Sequence, residues 1–147
     1  MLSEIINWNA VEVNLEAKDK AEVIGKLSEL LLKDGSITSK EAFETDVYLR
    51  EKEGRTGIGN GIAIPHGKSG AVIKTCIAVA VLKNGIPWET IDGKDVKVVI
   101  LFAVNANEAG SAHVKLMAQV ARLIAREEFC QALAQSTSKE DLVKLFS

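Results

Sequence analysis

The segment that decides the fold is Thr75–Val104, TCIAVAVLKNGIPWETIDGKDVKVVILFAV. Its two ends, TCIAVAVL and VKVVILFAV, are almost continuously apolar, a pattern typical of strands that are covered on both faces. The dipeptides NG at 84–85 and DG at 92–93 are strong turn signals, and they leave room for a short edge segment at 86–88. We therefore predict two buried strands that belong to a mixed sheet.

Two helices are predicted before this segment. Apolar side chains recur at helical spacing over residues 19–33, and Gly35 follows as a natural stop. Thr38 and Glu41 have the spacing of a capping box, in which each side chain satisfies a free backbone amide of the other. A second helix should therefore run from this point to about residue 52.

The other elements complete an α/β pattern. They are two short strands and three helices, at 11–15, 62–64, 111–126, 127–134 and from 138 onward. Helices interleaved with apolar strands give an α/β fold, a mixed β-sheet flanked by α-helices. Because no repeat, low-complexity tract or linker interrupts the chain, residues 1–147 are predicted to form a single domain.

Composition restricts the function. The 147 residues are 47% hydrophobic and carry a formal charge of −2, which argues against a surface built to hold nucleic acid or anionic lipid. The start lacks a secretory signal and no apolar run could insert into a bilayer, so we expect a cytoplasmic protein. Cys76 and Cys130 form no CxxC pair and the two histidines are far apart in sequence, so no metal site is predicted.

The most informative stretch is TGIGNGIAIPHG, Thr56–Gly67, which holds four glycines and one of the two histidines. It fails the Walker pattern, because GIAIPHGKS has five residues between its first glycine and GK, and it lacks the third glycine of a dinucleotide fingerprint. The glycines could serve only a tight turn beside an incidental histidine. Alternatively, bare backbone amides could cradle an anion next to a nucleophilic imidazole.

Three side chains are candidates for such a charge-handling pocket. His66 follows Pro65, which fixes the backbone just past a predicted strand end. His113 lies at a predicted helix start that favours an anion, although it also heads a buried stripe and could be a core histidine. Arg50 ends the inward face of the second helix, where it could instead favour the helix C-terminus or reach water.

The segment REKEGRTGIGNGIAIPHG, 50–67, resembles the signature of the type 2 enzyme IIA components of the bacterial phosphoenolpyruvate-dependent sugar phosphotransferase system (PTS), the fructose and mannitol group. The resemblance covers essentially the whole chain, including NGIPWETIDGKDVKVVILFAVN and AHVKLMAQVARLI. It implies a mixed sheet flanked by helices, the phosphotransferase/anion transport protein-like sandwich. It also implies phosphotransferase chemistry through a phosphohistidine.

The resemblance gives roles to individual residues. His66 matches the histidine that accepts a phosphoryl group from HPr at Nε2, and His113 matches a second histidine that supports it. Arg50 matches an arginine that pairs with phosphoryl oxygens. Asn60 stands where the mannitol type often has an acidic residue, which favours the fructose type, and Gly67 is expected to offer a bare amide.

The resulting hypothesis is a phosphocarrier for sugar uptake, fructose-like, without metal or cofactor. Its expected partners are HPr as donor and a IIB domain or subunit of a membrane sugar permease as acceptor. Apolar residues should surround the histidine, and Ile58, Ile62 and Val114 are candidates, although core is the more ordinary role for each. The alternative is a regulatory, nitrogen-PTS-type phosphosignalling module that binds partners without moving sugar.

Overall fold

The computed structural model describes residues 2–108 and 112–147. The strands in this part of the chain are β1 (Ile6–Leu15), β2 (Gly57–Gly59), β3 (Ile62–Ala63), β4 (His66–Ser69), β5 (Cys76–Ile86) and β6 (Val96–Asn105). The helices are α1 (Leu2–Ile5), α2 (Lys20–Lys33), α3 (Lys40–Glu53), α4 (Ala112–Ile124), α5 (Glu127–Ala134) and α6 (Lys139–Phe146). The start of α4 predicted at residue 111 lies outside the described residues.

The strands form one mixed sheet, as predicted. Its order is β1-β5-β6-β3-β2, and β4 also pairs with β6. The two apolar strands of the deciding segment, β5 and β6, run antiparallel at its centre, whereas β1 is parallel to β5 and both β3 and β4 are parallel to β6. The short strands β3 and β4 therefore follow one another along the same edge of β6.

Each face of the sheet is covered by helices, which explains the apolar runs Cys76–Leu82 in β5 and Val98–Val104 in β6. The first core lies between one face and α2 and α3, and includes Leu27, Phe43 and Val47. The second core lies between the other face and helices α4, α5 and α6, and includes Phe102 and Leu116. No helix in the described part of the chain is both long and apolar enough to span a membrane.

The prediction of a turn at residues 84–85 is wrong. Strand β5 continues through these residues to Ile86, and the register against β6 shifts between Val81 and Ile86. The extra residues form an irregularity in β5, as bulges do when one strand carries more residues than its partner. Gly85 suits this place because a Cβ atom there would lie 3.1 Å from the Cβ of Asp95.

Two boundaries also differ from the prediction. The first strand begins at Ile6 rather than residue 11. Its early residues were not recognised as a strand because Asn7 is polar; the Asn7 side chain donates to Asp34 and Ser36. The N-cap of α3 is Ser39, whose side chain accepts from the Ala42 amide, so the capping box predicted one residue earlier is wrong.

Candidate functional site

His66 follows the end of β3 as predicted, but it is also the first residue of β4, where it lies opposite Phe102 of β6. Pro65 has no N–H for a ladder, but its carbonyl accepts from the Phe102 amide at 3.0 Å. The half-buried imidazole meets the Phe102 ring edge-on, with 6.3 Å between centroids and 87° between planes. The ring is thereby directed to the second-core face of the sheet.

Arg50 contacts the imidazole directly. Its Nε–H donates to Nε2 of His66 at 3.0 Å, and its Nη1 donates to the Gly54 carbonyl at 3.3 Å. Because a guanidinium can only donate, Nε2 must be the unprotonated nitrogen. The proton is on Nδ1, which lies 3.1 Å from the Ile64 carbonyl and donates to it. The resting ring therefore presents its lone pair at Nε2.

The electrostatic surroundings keep His66 neutral. Burial lowers the pKa of its imidazole below the ordinary value, and the Arg50 charge lowers it further, while the hydrogen bond to Ile64 partly opposes them. A protonated ring would place two N–H groups, from His66 and Arg50, against each other. The arrangement therefore favours the nucleophilic form of the imidazole near neutral pH.

Gly67 explains how α3 reaches the imidazole. A Cβ atom at this residue would lie 2.7 Å from Val47 Cγ2 and 3.0 Å from Phe43 Cε1, both buried on α3. The missing side chain lets α3 pack closely against β4. Since Arg50 lies one turn beyond Val47, this close approach brings its guanidinium to His66. Gly67 thus has a packing role that was not predicted, and the amide role expected of it stays a prediction.

His113 lies in the first turn of α4 and is half-buried. Its Nδ1 is buried and has no hydrogen-bond partner among the described residues. Within that same set, no hydrogen bond or ring contact joins it to His66 or Arg50.

Asn60 is not brought to the imidazole. It lies at the exposed tip of the β2–β3 hairpin with φ of 55°, followed by Gly61 at 77°, the positive pair that a tight hairpin turn requires. Its backbone N–H donates to the Asp92 carboxylate at 3.2 Å. Strand β3 begins opposite Val98, four residues before the partner of His66, a separation of about 13 Å along β6.

An exposed apolar side chain is the sequence neighbour of Arg50, and another is the sequence neighbour of His113. Leu49 precedes Arg50 and is 52% exposed, and Val114 follows His113 and is 54% exposed. Of the other predicted candidates, Ile58 is half-buried, whereas Ile62 is fully buried and is core.

Sequence reasoning missed the groups that orient the ring. The Ile64 carbonyl and the Phe102 ring both contact His66, but neither residue type signals such a role. The exposed Leu49 was not among the predicted apolar candidates either. Within residues 2–108 and 112–147, no group of three or more His, Cys, Asp and Glu side chains could hold a metal ion.

This geometry provides a neutral imidazole whose unprotonated Nε2 accepts from the guanidinium beside it. A guanidinium can bind two oxygens of a phosphoryl group, and an imidazole lone pair can attack phosphorus.

The chain is similar to known proteins over almost its whole length. The family model of the phosphoenolpyruvate-dependent sugar phosphotransferase system, EIIA 2, matches residues 4–147. The fructose-specific EIIABC component of Bacillus subtilis is 30% identical over 99% of the chain, which spans 23% of that relative's length. The nitrogen regulatory protein of Escherichia coli is 31% identical, with 99% of the chain and 89% of that protein covered.

Solved structures show the same fold. The nitrogen regulatory protein IIA-Ntr of Neisseria meningitidis superposes with a TM-score of 0.89 at 23% identity, over 99% of the chain and 98% of that structure. Enzyme IIAMTL of Escherichia coli, in its complex with phosphorylated enzyme IIBMTL, gives a TM-score of 0.80 at 24% identity, with 96% of each chain covered.

Proposed function

Since the chain belongs to the EIIA 2 family of the phosphoenolpyruvate-dependent sugar phosphotransferase system, we propose that it is a phosphocarrier. It takes a phosphoryl group from HPr on His66 and passes it to a IIB domain for sugar uptake. The observation that carries this proposal is the hydrogen bond from Arg50 Nε to His66 Nε2 at 3.0 Å, which sets a cation beside an unprotonated ring nitrogen.

Loading is an in-line displacement at phosphorus. The Nε2 lone pair of His66 forms the new N–P bond as the bond between phosphorus and the donor breaks, and the leaving electron pair stays on the donor. Arg50 holds that lone pair at rest, so its guanidinium must turn aside when the phosphoryl group arrives. It then donates to the phosphoryl oxygens, where its charge stabilises the transition state.

The other candidates would act on the phosphorylated form. His113 would donate from a ring N–H to a phosphoryl oxygen and prepare the group for onward transfer. Backbone amides of the glycine-rich segment would complete the cradle, and among them Gly67 has weaker support because it is paired with β6 in the sheet. Asn60 has the weakest support because of its separation along β6.

Leu49 and Val114 give donor and acceptor a shared apolar contact. A transient interface with two successive partners requires such a small surface around the reactive ring. The IIB partner is supported by the solved complex of enzyme IIAMTL with phosphorylated IIBMTL. A fructose-like sugar is supported by the fructose-specific relative and by the absence of an acidic residue at 60.

A regulatory role is the second candidate. The nitrogen regulatory relative matches over nearly its whole length, whereas the fructose-specific relative is mostly other sequence. In that role the same phosphohistidine would change the affinity of the domain for a target protein, and no sugar would be moved.

One experiment separates these alternatives. The chain is incubated with phosphoenolpyruvate, enzyme I and HPr, its mass is measured, and purified IIB domains are then added. The proposal expects one added phosphoryl group, labile in acid and stable in base, that is absent from His66→Ala and is transferred to a IIB domain of fructose type. Loading without transfer to any IIB domain would favour the regulatory role, and normal loading of His66→Ala would refute the site.

A further inference from the structure

A buried polar cluster lies behind Arg50. Glu51 lies in the last turn of α3 with its side chain only 6% exposed, and its Oε1 accepts from Lys20 Nζ at 2.9 Å. Its Oε2 accepts from the hydroxyl of Thr56 at 2.7 Å. A carboxylate in such surroundings is strongly unfavourable unless both oxygens are paired, so these contacts fix its position.

The hydrogen bonds of Thr56 can run in only one direction through this cluster. Its side chain is 2% exposed, and its hydroxyl accepts from the Trp88 indole N–H at 3.0 Å. An indole can only donate and a carboxylate can only accept, so the hydroxyl must accept from Trp88 and donate to Glu51. The order Trp88 to Thr56 to Glu51 has no alternative arrangement of protons, which makes the cluster rigid.

The cluster is linked to both sides of the His66 ring. On one side, Glu51 follows Arg50, whose Nε donates to Nε2 of His66. On the other side, the Thr56 carbonyl accepts from the Ile64 amide at 2.9 Å, and the Ile64 carbonyl holds Nδ1.

The contact between Glu51 and Thr56 also closes a short loop, residues 51–56. Inside this loop lies the Gly54 carbonyl, which accepts from Arg50 Nη1 at 3.3 Å. The loop thus supports the same guanidinium that contacts the imidazole.

We infer that Glu51 and Thr56 are positioning residues, which hold the His66 ring in one orientation and one tautomer through Arg50 and Ile64. Neither touches the reacting nitrogen. For phosphoryl transfer this inference rests on the proposed function, because only a carrier needs a lone pair fixed along the line of attack. The orientation of the ring, however, can be measured without any partner protein.

The test compares Thr56→Val with Thr56→Ser. Valine keeps the shape but removes the hydroxyl, whereas serine retains it. Two-bond ¹H–¹⁵N spectra report the tautomer of His66, and steady-state kinetics report loading from phosphorylated HPr. We expect Thr56→Val to show a mixture of tautomers and about a tenfold lower kcat with unchanged KM for HPr, and Thr56→Ser to restore both.

Thr45→Val is the matched control, because Thr45 is an exposed residue of α3, the helix that carries Glu51, and its hydroxyl donates to the Glu41 carbonyl. It should leave the tautomer and the rate unchanged. If Thr56→Val does not fold, Glu51→Gln takes its place with the same expected tautomer mixture.

A folded Thr56→Val, or Glu51→Gln in its place, with one native tautomer would overturn the inference. If HPr fails to load even the unaltered chain, the proposed function is refuted, while the tautomer comparison still decides what Thr56 does.

Discussion

The Nε–H of Arg50 donates to Nε2 of His66 at 3.0 Å, so the guanidinium holds the one lone pair that the imidazole could offer to an electrophile. The contact fixes the tautomer, and the guanidinium charge adds to the effect of burial in lowering the pKa of the imidazole. In the proposed transfer, the guanidinium must move away from Nε2 before an in-line attack can begin.

Replacing Arg50 by Gln should lower kcat for loading about 100-fold, since a charged donor to the transition state is lost. Arg50→Lys should recover part of the rate, because it restores the charge without the planar pair of donors. Arg55→Gln is the control, as Arg55 is exposed on the following loop. Equal kcat values for Arg50→Gln and the control would remove Arg50 from the site.

The charge of His66 should depend on Arg50. Burial and the nearby guanidinium lower the pKa of the imidazole, so NMR titration should give a value below the ordinary 6.5. In Arg50→Gln the measured pKa should rise, because a repelling cation has been removed. An unchanged pKa would mean that burial alone keeps the ring neutral.

The same shift predicts how stability depends on pH. A histidine whose pKa is lowered by folding binds its proton more readily in the unfolded chain, so stability rises with pH. The contribution of His66 is therefore complete above pH 6.5 and is lost as the pH falls through 6.5 towards the folded-state pKa. The difference in unfolding free energy between the native chain and His66→Gln should change over this window, and a constant difference would contradict the shift.

Gly67→Ala should separate α3 from β4. The new Cβ would clash with Val47 and Phe43 in the first core, at a cost of roughly 1–3 kcal/mol in unfolding free energy. Because Arg50 moves with α3, loading should slow as well. Gly70→Ala is the matched control, since no atom lies within 4 Å of its Cβ position. A Gly67→Ala chain as stable as this control would show that the helix is not held by this contact.

His113→Ala should still be loaded by HPr but should transfer onward about 10- to 100-fold more slowly, the effect expected for losing a hydrogen bond to a charged group. The measurement is a rapid-quench time course of transfer from the phosphorylated chain to IIB. Unchanged transfer would assign His113 to the core.

The sequence predicted the layers well because β5 and β6 contain almost continuous apolar runs and the amphipathic helices repeat apolar residues at helical spacing. It failed where a local signal was overruled by the tertiary structure. The Asn84-Gly85 pair is a strong turn signal, yet strand pairing with β6 continues past it through an irregularity. At Thr38 and Ser39, two adjacent hydroxyls could each cap α3, but the amide and hydroxyl of Thr38 donate to the Ala71 carbonyl, and Ser39 is the cap.

The site was predictable in its residue types but not in its connections. His66 and Arg50 stood out because a histidine beside glycines and a charge on an apolar face are unusual. The Ile64 carbonyl and the Glu51–Thr56 contact depend on backbone positions and burial, which no local pattern encodes.

The central claim is that Nε2 of His66 carries the phosphoryl group in transit. The most direct test is ³¹P and ¹⁵N NMR of the chain after incubation with phosphoenolpyruvate, enzyme I and HPr. The account predicts a single phosphohistidine at His66 with phosphorus coupled to Nε2, while Nδ1 keeps its proton. Phosphorus coupled to Nδ1, or a phosphoryl group on His113 or any other residue, would contradict it.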